Sequence, residues 1–269
     1  VSGAASVLGR IVAHARQRLE VRRREFPLER VQSLAPTPAK RRSFAAALAH
    51  ADRVNVIGEF KRRSPSRGPI REDLHPVWVA QAYEVAGAAA LSVLTEESFF
   101  GGSLEDLHEA RSATELPTLR KDFVLDPYHV WEAAFAGADA VLLIVAILSD
   151  AELRALVAAA DAAGLDALVE VHDADELRRA LAAGAYLLGV NNRDLRSMEV
   201  RLETSLELAP LLPADVLAVS ESGIRSGVDV RRLRDAGYSA FLVGEHLMAS
   251  ADPGDALGEL IRSAGAPGS

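Results

Sequence analysis

Ala134 to Ile144 reads AFAGADAVLLI. A helix-forming stretch ends at a glycine, and an apolar run begins almost at once. Gly137 is a natural helix stop, because a residue without Cβ enters the left-handed conformation at little steric penalty. The run AVLLI is apolar on successive positions rather than alternate ones, which suits a strand covered on both faces. The same joint recurs as EVAGAAALSV (84–93), ALAAGAYLLGV (180–190) and RDAGYSAFLVG (234–244). Gly87, Gly137, Gly184 and Gly237 stand roughly 50 residues apart, room for two strand–helix units per interval.

The remaining apolar runs bring the total to eight, the others being VNVIG (54–58), PTLR (117–120), ALVEV (167–171) and VLAVS (216–220). Helical segments lie between them. SDAELRALVAAADAAG opens on Ser149, places Glu152 three residues on, and closes at Gly164. HDADELRRALAAG has Asp173 as its cap. Eight strands alternating with helices predict an α/β protein with the (β/α)8 architecture, a TIM barrel. A doubly wound open sheet is the alternative, but no G-x-G-x-x-G follows the first strand. Residues 1–52 are expected to form an N-terminal helical extension packed on the barrel, and 53–265 the barrel, one domain overall. Val7, Leu8, Ile11, Val12, Ala15 and Leu19 fall on one helical face. A helix that merely packs on the barrel is the plain reading; one that also covers its mouth is the sharper one.

Of the 30 basic residues among 269, all but Lys40, Lys61 and Lys121 are arginine. A chain that uses arginine for ordinary positive charge invites a special reading of its lysines, since lysine gives up its proton far more readily. The net charge of −8 argues against a nucleic-acid partner. The absence of cysteine excludes disulfides, thiolate nucleophiles and cysteine-bound zinc. The N-terminal stretch is rich in charge and lacks the apolar core of a signal peptide, and no apolar run is long enough to span a membrane. A cytoplasmic protein is expected, with no metal or cofactor implied.

Active sites of such barrels lie at the C-terminal strand ends. Those positions offer Glu59 and Lys61, Lys121, Glu170, Asn191 and Arg193, then Glu221 and Ser222. Residues two apart on a strand share a face, so Glu59 and Lys61 should point together and pair. A strand terminus often carries a surface charge of no consequence. Two of only three lysines at strand ends argue otherwise, and lysine–glutamate pairs displace each other's pKa toward acid–base work. His108, His129 and His172 read best as surface or capping residues, though His172 could face the mouth. Ser222-Gly223 and Gly244-Glu245 follow the last two strands, where barrels bind phosphate through backbone N–H groups.

GEFKRRSPSRG, LSVLTEESFFGGS, LRKDFVLDPY, GADAVLLIVAIL, ALVEVHD, GVNNRDL, VSESGI and FLVGEHLM together resemble the indole-3-glycerol-phosphate synthase family. The resemblance runs in order from about residue 54 to 248 and implies ring closure with decarboxylation and dehydration of 1-(2-carboxyphenylamino)-1-deoxyribulose 5-phosphate. It makes Lys121 the principal general acid, Glu59 the carboxylate that tunes it, Lys61 a second cation near the substrate carboxylate, and Glu170 the base. Asn191, Glu221 and Ser222 become supporting polar groups. Arg193 falls on the carboxylate side, with Ser64 in a first loop that closes over the substrate. Phe100, Phe123, Leu142 and Leu195 wall the aryl ring, and Ser222, Gly223, Gly244 and Glu245 take the phosphate. The small-molecule substrate is the only partner implied. A phosphoribosylanthranilate isomerase-like barrel is the enzymatic rival, but that family generally uses a cysteine. A non-catalytic phosphate-sugar-binding barrel would leave the two lysines unexplained.

Overall fold

The computed structural model describes residues 6–37, 41–195 and 197–265. Lys40 lies outside them. Eight parallel strands close into a barrel: β1 (Asn55–Phe60), β2 (Ala90–Leu94), β3 (Thr118–Lys121), β4 (Ala140–Ile144), β5 (Asp166–Val171), β6 (Leu187–Asn191), β7 (Leu217–Glu221) and β8 (Ala240–Val243). Each strand pairs with its neighbours in sequence, and β8 pairs with β1 to complete the ring. The repeated joint works as its sequence implies. Gly137 sits at φ 93°, and its N–H returns to carbonyls of the helix it ends. The helix Asp150–Ala163 begins with a capping box between Ser149 and Glu152.

Strand alternation sorts the side chains into two apolar sets. Val56, Leu91, Val141, Leu143, Val169, Leu188 and Phe241 belong to the layer packed against the surrounding helices. Ile57, Leu119, Leu142, Leu168, Leu187, Val219 and Leu242 belong to the barrel interior. Two residues beyond an interior position, on the same face, stand Glu59, Lys121, Glu170, Glu221 and Gly244. Above Asn55 at the floor, the interior is therefore apolar through its middle layers and turns polar at the C-terminal rim.

Among the described residues three helices precede β1: α1 (Val7–Glu25), α2 (Leu28–Leu34) and α3 (Phe44–Leu48). The short α3 closes the bottom of the barrel. Phe44 and Leu48 are wholly buried within the interior set. The Asn55 side chain donates to the Leu48 carbonyl at 2.9 Å, and the Asp166 carboxylate accepts the Ala45 N–H at 2.9 Å. The longer α1 reaches the other end. Ile11 joins the same interior cluster as Phe123, and Val7, Leu8 and Ala15 pack against it beside Phe99 and Phe100. Arg18 and Arg22 pair with Glu97, Arg22 with Glu132 at 2.8 Å, and Arg23 with Asp126 at 2.9 Å. This helix packs beside the segment that carries Phe99 and Phe100, and none of its described residues lines the cavity at the strand ends. Among the described residues no helix is long and apolar enough to cross a membrane.

Phe44→Ala would leave a void under the barrel floor. It should lower the unfolding free energy by about 3–5 kcal/mol, read from chemical denaturation, since a bottom-layer aromatic has no room to be replaced by relaxation.

Candidate active site

A cavity of about 540 Å³ opens at the C-terminal ends of the strands, and every site residue singled out from the sequence lines it. Glu59 and Lys61 come from β1 and its loop, Lys121 from β3, and Glu170 from β5. Asn191, Arg193 and Leu195 follow from β6, and Glu221, Ser222 and Gly223 from β7. Gly244 and Glu245 follow β8, while Ser64, Phe100, Phe123 and Leu142 complete the wall. The strands end one residue later than the apolar runs at Lys121, Asn191 and Glu221, so these three are held by strand backbone rather than loop.

The charges are arranged around Lys121. Its ammonium lies 3.1 Å from Glu170 and 3.4 Å from Glu221. Burial alone would pull the lysine down, but Glu170, Glu221 and Glu59 outweigh it and raise it above the ordinary lysine value. The sequence suggests that lysine–glutamate pairs displace each other's pKa; the three nearby carboxylates set the direction for the lysine as upward. Burial pushes Glu170 up, yet Lys121, then His172 and a hydrogen bond from Asn191, hold it below the usual glutamate range. Glu221 goes the other way. Beyond the Lys121 ammonium at 3.4 Å, neither of its oxygens has a hydrogen-bond partner among the described residues. Burial, with the charges of Glu170 and Glu59, pushes it up to about 8 against the opposing pull of Lys121. Lys61 donates to Glu59 at 2.7 Å, the pairing that their two-residue spacing implies.

Two glycines make room for these carboxylates. A Cβ on Gly189 of β6 would stand 2.1 Å from a Glu221 oxygen, and one on Gly244 would stand 2.2 Å from a Glu59 oxygen. Gly244 was already among the expected phosphate residues; its clearance of Glu59 is a second reason for glycine there. Ser222 and Gly223 both have positive φ, 66° and 83°. Such a conformation is strained for serine. The turn is held by Asn192, whose side chain donates to the Ser222 carbonyl at 3.0 Å and to Ser220 at 3.1 Å.

The first loop is a small ribbon, Arg63–Ser64 against Gly68–Pro69. Arg62 anchors its base in a two-pronged bond to Asp106. Its tip lies toward the far rim: Arg193 donates to Ser66 at 3.3 Å, and Glu245 pairs with Arg193 at 3.2 Å and Arg67 at 3.5 Å. Arg193 thus stands beside the β8 turn.

Sequence reasoning passed over several residues. Ser66 and Arg67 lie within the quoted first motif, and Ile144 is period-two from Leu142, so both signals were available. Behind Lys121, Arg120 is buried and pairs with Asp122 at 2.8 Å and Glu132 at 2.9 Å. Glu132 also holds Arg22, so α1 is tied to the strand that carries Lys121. No local pattern marks that link. His108 is exposed, and His129 is a buried capping residue that accepts the Leu125 N–H. Burial, then Arg120, pushes His129 down to about 3. His172 is neither surface nor cap. It is partly buried, 3.4 Å from Glu170.

A carboxyl kept protonated toward neutral pH beside a charged lysine suits proton transfer rather than simple binding. This mouth places the protein among the acid–base enzymes of the (β/α)8 class. The sequence profile of the family described as "Indole-3-glycerol phosphate synthase" matches residues 8–260. A protein of that name from Acidithiobacillus ferrooxidans is 51% identical over 258 residues, covering 95% of this chain and 98% of the relative. Another from Carboxydothermus hydrogenoformans is 45% identical over 261 residues, covering 94% and 99%. The chain belongs to the indole-3-glycerol phosphate synthase family, carbon–carbon lyases of tryptophan biosynthesis. Among solved structures, 3-hexulose-6-phosphate synthase from Salmonella typhimurium superposes with a TM-score of 0.63 at 13% identity, over 78% of this chain and 98% of that one, a likeness of fold.

Gly189→Ala should force the Glu221 carboxylate out of place. Turnover should fall on the order of 10²-fold while the circular dichroism spectrum is kept, because small misplacements of reacting groups carry penalties of that size. Glu221 also binds its proton more tightly folded than unfolded. Its contribution to stability is therefore complete below about 4.5 and drains away as pH rises to about 8. Glu221→Gln, which stays neutral, should raise the melting temperature relative to the parent more at pH 8.5 than at pH 5.

Proposed function

We propose that this chain converts 1-(2-carboxyphenylamino)-1-deoxyribulose 5-phosphate to indole-3-glycerol phosphate, carbon dioxide and water. The observation that carries the reading is the Lys121 ammonium held between Glu170 and Glu221 in a cavity that also offers an apolar wall of Phe100, Phe123, Leu142 and Leu195.

The aryl ring lies among Phe100, Phe123, Leu142 and Leu195. Phe100 and Phe123 already stand with ring centroids 6.2 Å apart. Lys61 and Arg193 meet the substrate's anionic groups, and the backbone of Ser222, Gly223, Gly244 and Glu245 receives the phosphate. Glu245 brings a carboxylate to that end, and Arg193 and Arg67 neutralise it.

Ring closure joins the carboxyl-bearing ring carbon to the ketone carbon. The ketone oxygen takes on negative charge as this bond forms, and Lys121 protonates it. A lysine kept charged by its neighbours is a weak acid toward water but a sufficient one toward a developing alkoxide, which is the stronger base. Loss of carbon dioxide then restores the aromatic ring. In the last step the new hydroxyl leaves as water, with a proton from a lysine, and Glu170 accepts the proton released as the pyrrole double bond forms. Glu59 orients Lys61 and adds to the charge that holds Lys121 protonated. Asn191 steadies Glu170. A cytoplasmic location goes with this reading, and the small-molecule substrate is the partner it requires.

Indole-product fluorescence, followed on the parent protein and Lys121→Arg side by side, tests the assignment. Arginine keeps the charge but is too weak an acid, so turnover should fall on the order of 10²–10⁴-fold. Near-normal turnover in the variant would remove Lys121 from the chemistry, and silence in the parent would remove the reaction itself.

A further inference from the structure

His172 is a partly buried titratable group that the reaction scheme does not use. It follows Glu170 by two residues, yet it is not among the residues that line the cavity. Its ring bridges two carboxylates. Nδ1 lies 2.9 Å from the Glu176 carboxylate on the helix Ala174–Ala182, and the same oxygen accepts the His172 backbone N–H at 2.8 Å. Nε2 faces Glu170 Oε1 at 3.4 Å and has no other partner. Lys121 takes the opposite oxygen, Glu170 Oε2.

We infer that His172, held by Glu176, is the positioning residue of Glu170, fixing the carboxylate oxygen that Lys121 leaves free. The inference rests on the proposed role of Glu170 as the base. The geometry follows from donor and acceptor roles. Nδ1–H is committed to Glu176, so Nε2 is the atom turned to Glu170. A bare lone pair there would confront a carboxylate, whereas a protonated Nε2 completes a chain of alternating charge. The groups facing the ring are Glu170 near the end of β5, Glu176 on the following helix, and Glu221 on β7. Burial pulls the imidazole down, and these three outweigh it, so its pKa is raised. His172 in turn is among the groups that hold Glu170 below the usual glutamate range. A histidine in this place keeps the base ionised and stops its second oxygen from turning toward the substrate's leaving hydroxyl.

The dependence of kcat and KM on pH, measured for the parent, His172→Gln and Glu176→Gln, tests this. Loss of the neighbouring cation should raise the acid limb of kcat by about one pH unit in His172→Gln, about a ten-fold loss of kcat below that limb. KM should stay within about two-fold, because the substrate is not touched. Glu176→Gln keeps the acceptor for the His172 N–H and should shift the limb in the same direction by less. Acid limbs that stay in place in an active parent and both variants would overturn the inference while leaving the proposed function standing. So would a loss of kcat that is uniform across pH and tracks a lowered melting temperature, which would make His172 structural. Should His172→Gln fail to fold, the limb in Glu176→Gln decides alone, and an unshifted one overturns the inference. Silence in the parent would instead bring down the proposed function, and this inference with it.

Discussion

A charged lysine at the bottom of a closed barrel mouth must be neutralised, and the site follows from how that is done. Removing an ammonium from water is costly unless opposite charge lies close. Lys121 has more than it needs: Glu170, Glu221 and Glu59 all act on it. Glu59 is also paired with Lys61 and Glu170 also faces His172, so Glu221, which has Lys121 alone at 3.4 Å, yields by holding its proton. The division of the glutamates into an ionised carboxylate and a protonated neighbour is thus a consequence of crowding rather than of residue type.

The crowding is made possible by what surrounds it. Glycine at 189 and 244 leaves space for carboxylates that any side chain would displace. The layers beneath are apolar and closed from below by Phe44 and Leu48, so the charged rim is backed by dry protein. A site built on strand ends is also stiff. Lys121, Glu170, Asn191 and Glu221 are all paired in the barrel ladder, which limits how far repulsion can move them.

Arginine and lysine are used for different work. Arginines tie α1 to the mouth, anchor the first loop and meet Glu245 at the rim, where a charge that never leaves is an advantage. The two lysines of the cavity stand on carboxylates where a proton can be handed over. Through Arg22, Glu132 and Arg120 the first helix is joined to the strand of Lys121, so the segment ahead of the barrel is mechanically part of the site.

The sequence by itself determined the barrel, because successive apolar residues and a repeated glycine joint are local signals of buried parallel strands and helix ends. It also determined which residues reach the cavity, since a period of two and a fixed active end convert strand position into location. The rare lysines in an arginine-rich chain pointed to the chemistry for the same local reason. The direction of each pKa displacement was decided only by the tertiary structure. So were the roles of Gly189 and Asn192 and the place of His172 behind Glu170. These depend on distances between strands far apart in the chain, and on how much water is excluded between them. No run of neighbouring residues contains either quantity.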